Sequence, residues 1–155
     1  SMNEHVERLN RFQPTILIGP PSVLRRLGAS QSTKELSLQE LARVFSVAEV
    51  LDPIDQKHIE RDLNIAVHQV YQCTEGFLAI SCEEGSLHLN EDLMVIEKDW
   101  VDKAKGKFMP IITDFNRRTQ PIYRYRLNDI LTEFFRQYYT AMAGKFGLIF
   151  AQKHE

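Results

Sequence analysis

The chain has 155 residues, of which 43% are hydrophobic and 26% charged, a composition typical of a globular domain with its own core. Nineteen Lys and Arg against 21 Asp and Glu leave a net charge of -2, which excludes a general electrostatic attraction to nucleic acid or anionic lipid. Two cysteines exclude a disulfide framework, and no apolar run reaches the roughly 20 residues needed to span a bilayer. These totals predict a cytoplasmic protein with free thiols.

The first part of the chain alternates strand-like and helical patterns. Thr15 to Ile18 is predicted to be a buried strand, since Gly19 and two prolines follow it. Ser22 to Leu27 has helical spacing, with Ser22 as the cap and Gly28 as the stop. Residues 37–40 carry the spacing of a capping box, which predicts a second, brief helix.

A further strand and helix follow. The run RVFSVAEVL is apolar enough to be a strand. Asp52 and Pro53 then supply a capping carboxylate and a proline at the first helical position. The helix is expected to bury its apolar side chains, Ile54, Ile59 and Leu63.

The rest of the chain is predicted to be mainly β, ending in one helix. Short alternating runs separated by turn residues extend from AVHQVYQC to PIYRYRL. Helical spacing returns near Leu131 in an apolar stripe: Ile130, Leu131, Phe134, Phe135, Tyr138 and Met142. The pattern predicts a mixed α/β fold, with a mixed sheet and flanking helices followed by a β-rich half.

The stretch VYQCTEGFLA breaks a strand-like run with polar residues. Thr74 and Glu75 lie where the predicted strand stops, and Gly76 allows an unusual backbone angle. A carboxylate beside a hydroxyl at a strand end can hold a magnesium ion and a phosphate oxygen. A polar turn between two strands has the same pattern, so both interpretations stay open.

The segment TQPIYRYRLND alternates aromatic and basic residues before a carboxylate. In a strand, Arg124 and Arg126 point to one face and Tyr123 and Tyr125 to the other. Asp129 closes the run and can accept two hydrogen bonds from a ribose diol. A solvated edge strand is an open alternative, and so is an RNA-binding patch, which the balanced charge disfavours.

Other candidate chemistry is weaker. His88, Glu91 and Asp92 are metal-ligand types, but their spacing does not bring them together, and His88 is interpreted as a hydrogen-bonded structural residue. Cys73 has no partnering base and is interpreted as a small buried residue. The chain contains no Gly-rich phosphate loop.

Taken together, the chain resembles the middle of the adenylate-forming enzymes, in the branch of phenylacetate–CoA ligase and the deazaflavin-coenzyme adenylating synthetases. The resemblance covers roughly residues 3 to 131 and is carried by five segments in the family's order: PTILIGPPSVLRRL, SVAEVLDP, VYQCTEGFLA, GSLHLNED and MPIITDFNRRTQPIYRYRLNDIL. It implies a fragment of the large N-terminal domain of such an enzyme. The family joins a carboxylate to the α-phosphate of ATP, and a thiol, often that of coenzyme A, then displaces AMP.

The YQCTE segment is similar to the family's Tyr-Gly-x-Thr-Glu motif. The resemblance implies that Tyr71 lies against the adenine or the acyl group. It also implies that Thr74 contacts the phosphate and Glu75 ligates magnesium, which makes these two the expected catalytic residues. Gln72 stands where most relatives have Gly, so the backbone there is expected to differ.

Two further segments match nucleotide-binding positions. Ala48 and Glu49 match the family's Ala-Glu pair that borders the adenine, and Asp129 matches the aspartate that holds both ribose hydroxyls. The expected ligands are therefore ATP or AMP, Mg²⁺ and a carboxylate substrate. The acyl group and a coenzyme A acceptor are left open, and no nucleic-acid or membrane partner is expected.

The chain departs from the family at both ends. The Ser/Thr/Gly-rich phosphate loop has no counterpart here, and the lysine-bearing lid does not follow Asp129. We expect a partial AMP-binding core over residues 1–131 and an unmatched aromatic helix and tail over residues 132–155. Such a chain would be an excised piece, a gene fragment or a shortened natural relative. It is expected to be nearly inactive alone, since each lost electrostatic donor costs about 10² to 10³ in rate.

A non-catalytic role is the alternative. Aromatic residues lie on both sides of the predicted helix from Leu131 to Phe146, more than one core face requires. They favour a homodimer formed through this helix. Packing of the helix onto the chain's own sheet explains the same pattern.

Overall fold

The computed structural model describes residues 2–83, 85–134 and 148–151, and these divide between two compact units, Ser1–Val70 and Tyr71–Glu155. In chain order the elements are α1 (Met2–Phe12), β1 (Ile16–Gly19), α2 (Pro21–Ser32), β2 (Arg43–Ser46), α3 (Pro53–Leu63), β3 (Val67–Cys73), β4 (Gly76–Ser81), β5 (Leu87–Leu89), β6 (Val95–Asp102), a 3-10 turn (Lys103–Lys105), β7 (Lys107–Asp114), β8 (Ile122–Arg126), β9 (Leu131–Phe134) and β10 (Leu148–Ala151). This order confirms the predicted mixed α/β fold with a β-rich second half.

The first unit is built on parallel strands. β2 pairs with β1 on one side and with β3 on the other, with Val44 opposite both Leu17 and Val67. α2 and α3 are the helical crossovers that parallel pairing requires. The helices and strands enclose one core: Val6, Leu17, Leu24, Leu27, Leu36, Val44, Leu51, Ile59, Leu63 and Val67.

Helix α3 begins as its sequence predicts. Asp52 is the N-cap, and its carboxylate accepts a 2.7 Å hydrogen bond from the backbone N–H of Ile54. Ile59 and Leu63 are buried, as expected, whereas Ile54 is 65% exposed because it lies in the first turn, away from the core.

Helix α2 is longer than predicted. It continues through Gly28 to Ser32, and a Cβ at Gly28 would lie 3.0 Å from the Cβ of Asp62, so this glycine permits close packing on α3. The helix is capped at Pro20, which places Ser22 inside the first turn rather than at the cap.

Two other local predictions for the first unit are wrong. β1 is only half buried, since Leu17 faces the core while Ile16 and Ile18 are 52% and 62% exposed. Residues 37–40 contain no helix, because this segment is tied instead to α1. The backbone N–H of Ser37 donates to the side chain of Asn10 over 2.8 Å.

The second unit is antiparallel. β4 pairs with β5, β5 with β10, β10 with β9, β9 with β7, and β7 with β6, while β8 also pairs with β7. β7 is thus the central strand, and its Phe108 and Ile112 are fully buried. The core beneath the candidate site contains Leu78, Met94, Ile112, Ile122 and Leu127.

The predicted C-terminal helix is wrong where the structure describes it. Leu131–Phe134 is strand β9, since it pairs with β7 on one edge and β10 on the other. Leu148–Ala151 is also a strand. Residues 135–147, which hold three members of the predicted apolar stripe, Phe135, Tyr138 and Met142, lie outside the described residues. The expected boundary at residue 131 stays a prediction.

Candidate functional site

The candidate site is built around the end of β3. Tyr71 and Cys73 alternate with Gln72, so both side chains take the same face of the strand and pack over the buried core of the second unit. Thr74 and Glu75 form the two-residue turn into β4. Thr74 and Glu75, which are predicted as site residues, are therefore also the residues of a polar turn between two strands.

Asp129 is held beside Tyr71. The Tyr71 hydroxyl donates a 2.7 Å hydrogen bond to Oδ2 of Asp129, across 58 residues of sequence. Both side chains are part-buried, and Asp129 lies in the loop between β8 and β9. One carboxylate oxygen is thus used internally, while Oδ1 makes no bond within the described residues.

Glu75 is stabilised in its ionised form. The neighbouring Cys73 thiol is the largest cause that lowers the pKa of Glu75. Hydrogen bonding by its own backbone N–H and by the Tyr125 hydroxyl acts in the same direction, as does the charge of Arg117. Burial, followed by the bond to Glu75, raises the pKa of the Cys73 thiol. The thiol also donates to the backbone carbonyl of Gly76 over 3.8 Å, a contact that the prediction of Cys73 as a small buried residue did not include.

Arg117 fixes the turn from a second direction. Its guanidinium donates to the backbone carbonyl of Thr74 over 3.0 Å, and its Nε lies 3.6 Å from Oδ2 of Asp114. No sequence motif predicts this contact of Arg117, since its acceptor is a backbone oxygen 43 residues away. The adjacent Arg118 is exposed and makes no such contact.

Both candidate carboxylates affect the pKa of the Tyr71 phenol. Burial is the main cause that raises the pKa of the Tyr71 phenol, and the hydrogen bond and charge of Asp129 follow. The charge of Glu75 adds to the same shift. The phenol therefore stays protonated and donates to Asp129.

Ala48 and Glu49 belong to the first unit and are described by themselves. Ala48 has a φ of 68°, and the N–H of Glu49 donates to the carbonyl of Val47 over 2.8 Å, which defines a γ-turn centred on Ala48. The Glu49 carboxylate accepts from the Ser22 hydroxyl over 3.1 Å and the Ser22 N–H over 3.4 Å. The Glu49 carboxylate is thus used at the start of α2. The backbone of the turn at Ala48 and Glu49 is exposed.

The basic residues of β8 are already paired. Arg124 contacts both oxygens of Glu97 at 3.0 and 3.1 Å, and Arg126 lies 2.6 Å from Asp99. The two arginines share one face, as predicted, and their carboxylate partners oppose the use of this face for RNA phosphates.

Within residues 2–83, 85–134 and 148–151, no three His, Cys, Asp or Glu side chains gather into a metal-binding group. His88, Glu91 and Asp92 thus do not form a site of this kind. In the same residues, no helix has the length and apolar character required to cross a bilayer.

The chain was compared with protein-family models and with known proteins. No family model matches the chain. It is 30% identical to Protein CapK of Staphylococcus aureus over 133 residues, which are 83% of this chain and 29% of that protein. The chain therefore spans less than a third of that relative.

Solved structures extend the comparison. One is 2-hydroxyisobutyryl-CoA ligase in complex with 2-HIB-AMP and CoA, with a TM-score of 0.72 and 18% identity over 85% of this chain and 32% of that one. Another is the amide bond synthetase McbA of Marinactinospora thermotolerans, with a TM-score of 0.70 and 13% identity over 99% and 34% of the two chains. The chain has the fold of part of an adenylate-forming ligase.

Proposed function

We propose that the chain is the nucleotide-binding part of an acyl-adenylate-forming, CoA-ligase-like enzyme of the phenylacetate–CoA ligase branch. The observation that carries the proposal is the Tyr71–Asp129 hydrogen bond beside the Glu75 turn, on a fold shared with ligases that were solved with an acyl-AMP. In this site Asp129 accepts the ribose hydroxyls and Thr74 meets the phosphate. For the first unit, the resemblance alone supports a role of Ala48 and Glu49 in bordering the adenine.

The donor set fits a magnesium ion only in part. Glu75 is a single ionised carboxylate, and Mg²⁺ in nucleotide sites takes one or two carboxylates together with phosphate oxygens and waters. The residues therefore suit an ion that arrives with ATP rather than one that is bound beforehand. When bound, the ion would neutralise phosphate charge.

The chain's own residues orient the nucleotide. Tyr71 keeps Asp129 in one rotamer by occupying Oδ2, which leaves Oδ1 to the ribose. Arg117 and the Cys73 thiol hold the turn so that Thr74 and Glu75 face the same phosphate. A carboxylate substrate and coenzyme A are the expected partners of the complete reaction.

The test is ligand-induced stabilisation. We expect ATP with Mg²⁺, and AMP, to raise the unfolding temperature, since a ligand at a hundred times its Kd adds about 2.7 kcal/mol. Asp129→Ala should abolish the shift, whereas Asp92→Ala, at an exposed turn position, should keep it. Mg²⁺ without nucleotide should give no shift. Absence of any nucleotide effect at millimolar concentration, with no heat in titration calorimetry, would overturn the proposal.

A further inference from the structure

Strand β8 contains a β-bulge where it pairs with β7. The register shifts between Ile112 and Asp114, since Tyr125 lies opposite Ile112 whereas Ile122 lies opposite Asp114. Three steps along β8 therefore match two steps along β7, which is the mark of one extra residue in β8. Bulges of this kind are common beside active sites, where they redirect a side chain.

The bulge includes a residue with a strained backbone. Arg124 has a φ of 45°, in the left-handed region that residues other than glycine seldom adopt. Its backbone N–H donates to the hydroxyl oxygen of the buried Thr113 over 3.0 Å, which holds the bulge in place. Strain of this kind persists only where the surrounding contacts enforce it. The next side chain along the strand is that of Tyr125.

The bulge decides the face on which Tyr125 lies. In a regular strand, Ile122 and Tyr125 would lie on opposite faces, because they are three residues apart. Their partners in β7 are two residues apart and share a face, so Ile122 and Tyr125 share a face as well. Ile112 and Ile122 belong to the core against which Tyr71 and Cys73 pack. Tyr125 therefore lies on the face of β8 that is directed toward the candidate site.

Two contacts place Tyr125 beside the end of β3. Asp129, which follows Tyr125, accepts from the Tyr71 hydroxyl over 2.7 Å. Arg117, which precedes Tyr125, donates to the Thr74 carbonyl over 3.0 Å. The segment that carries Tyr125 thus connects one contact to the other, next to the turn that contains Glu75.

The hydroxyl of Tyr125 also acts on the Glu75 carboxylate. The neighbouring Cys73 thiol is the largest cause that lowers the pKa of Glu75, its own backbone N–H follows, and the Tyr125 hydroxyl adds to the same shift. Glu75 is half-buried and Tyr125 is 48% exposed, so a ligand has access to both side chains.

We propose that Tyr125 is a positioning residue for Glu75: the bulge directs its hydroxyl to the Glu75 carboxylate and so holds that carboxylate for the magnesium ion that arrives with ATP. The inference rests on the proposed function and extends it, since the resemblance assigns no role to Tyr125. AMP is held at Asp129 without the ion, so Tyr125 should affect the binding of ATP–Mg²⁺ and not that of AMP.

Calorimetric titration of the whole chain tests this difference. We expect Tyr125→Phe to weaken ATP–Mg²⁺ binding about fivefold, the effect of one lost hydrogen bond, and to leave AMP binding unchanged. Tyr123→Phe, at a tyrosine that is 75% exposed, is the control and should change neither. In Glu75→Gln, adding Tyr125→Phe should cause no further loss, because the carboxylate on which it acts is gone. Unchanged ATP–Mg²⁺ binding, or an equal loss for AMP, would overturn the proposal.

Two variants of Arg124 test the bulge. Arg124→Gly and Arg124→Val both remove the contact with Glu97, but glycine adopts a φ of 45° freely, whereas the β-branched valine does not. We expect Arg124→Val to weaken ATP–Mg²⁺ binding as Tyr125→Phe does, and Arg124→Gly to retain it. Equal affinities in the two variants would overturn the role of the bulge in directing Tyr125.

Unfolding without nucleotide separates this inference from the proposed function. Tyr125→Phe should lower the unfolding temperature more in the wild type than in Glu75→Gln, because the two side chains act on each other. Equal shifts in the two backgrounds would overturn the contact. If unequal shifts are found in a chain that binds no nucleotide, the contact is supported and the proposed function is refuted.

Discussion

The hydroxyl of Tyr71 lies 2.7 Å from Oδ2 of Asp129, so a residue at the end of β3 orients a carboxylate from the β8–β9 loop. Both residues were expected to contact a nucleotide, but their contact with each other was not. The bond makes Tyr71 a positioning residue for Asp129, in addition to any contact with a base or acyl group.

Tyr71→Phe tests this relationship. Removing the hydroxyl should cost about 1 kcal/mol of stability, because a part-buried carboxylate loses its partner. It should also weaken AMP binding, since Asp129 is then free to rotate. Urea unfolding and calorimetry measure the two effects. Tyr123→Phe removes the hydroxyl of a tyrosine that is 75% exposed and should change neither. Unchanged AMP affinity in Tyr71→Phe would contradict the positioning role.

Adjacent arginines provide a matched pair. Arg117→Gln removes the donor to the Thr74 carbonyl and should weaken ATP–Mg²⁺ binding about tenfold, the equivalent of about 1.4 kcal/mol. Arg118→Gln removes the same charge from an exposed neighbour and should have little effect. Arg117→Lys should restore part of the loss. If the two glutamine variants bind ATP–Mg²⁺ with equal affinity, then net charge rather than the geometry of the turn determines the affinity.

The lowered pKa of Glu75 predicts a pH dependence. The folded state holds this proton less tightly than the unfolded state, so the stabilisation is complete above the ordinary glutamate pKa of about 4.3. It is lost as pH falls through the lowered folded value. The stability difference between the wild type and Glu75→Gln should therefore shrink as pH falls from 7 to 3.

Urea unfolding at each pH measures that difference. Glu91→Gln removes an equal charge at an exposed position and is the matched control. A difference that stays constant over the whole range would show that the ionised carboxylate contributes nothing.

The substitution Gly106→Ala tests the packing of the second unit without any ligand. It has a φ of 67°, and a Cβ there would lie 2.7 Å from the backbone oxygen of Glu133. Gly106→Ala should destabilise the chain by about 2 kcal/mol, because neither the backbone angle nor the opposing backbone can adapt cheaply. Gly19→Ala meets only the Leu24 side chain at 3.8 Å and should cost much less. Thermal unfolding compares the two; equal losses would contradict the geometry around Gly106.

Features that depend on neighbouring residues were predictable from the sequence. The Asp52 cap and the Thr74–Glu75 turn follow from side-chain chemistry within a few residues, and the alternation of Arg124 and Arg126 follows from the strand period. The nucleotide-binding roles of Thr74 and Asp129, which came from strand-end chemistry and the resemblance, stay predictions. So do those of Ala48 and Glu49, which came from the resemblance alone.

Features that depend on distant partners were not predictable. Leu131–Phe134 has helical spacing, but pairing with both β7 and β10 makes it a strand, and no local pattern contains that information. The apolar residues Ile16 and Ile18 are predicted to be buried, yet within the described residues β1 pairs with β2 alone and both side chains are exposed. The contact of Arg117 with the Thr74 turn was not predictable, because its acceptor is a backbone oxygen.

Within the described residues, β1 is paired on one side only, and its Ile16 and Ile18 are exposed. The unpaired backbone groups of an edge strand can pair with another molecule, including a misfolded neighbour at high concentration. Concentrated stocks should therefore precipitate or form fibres sooner than dilute ones. Ile18→Lys, which places a charge on that strand, should lengthen the storage life of the purified chain.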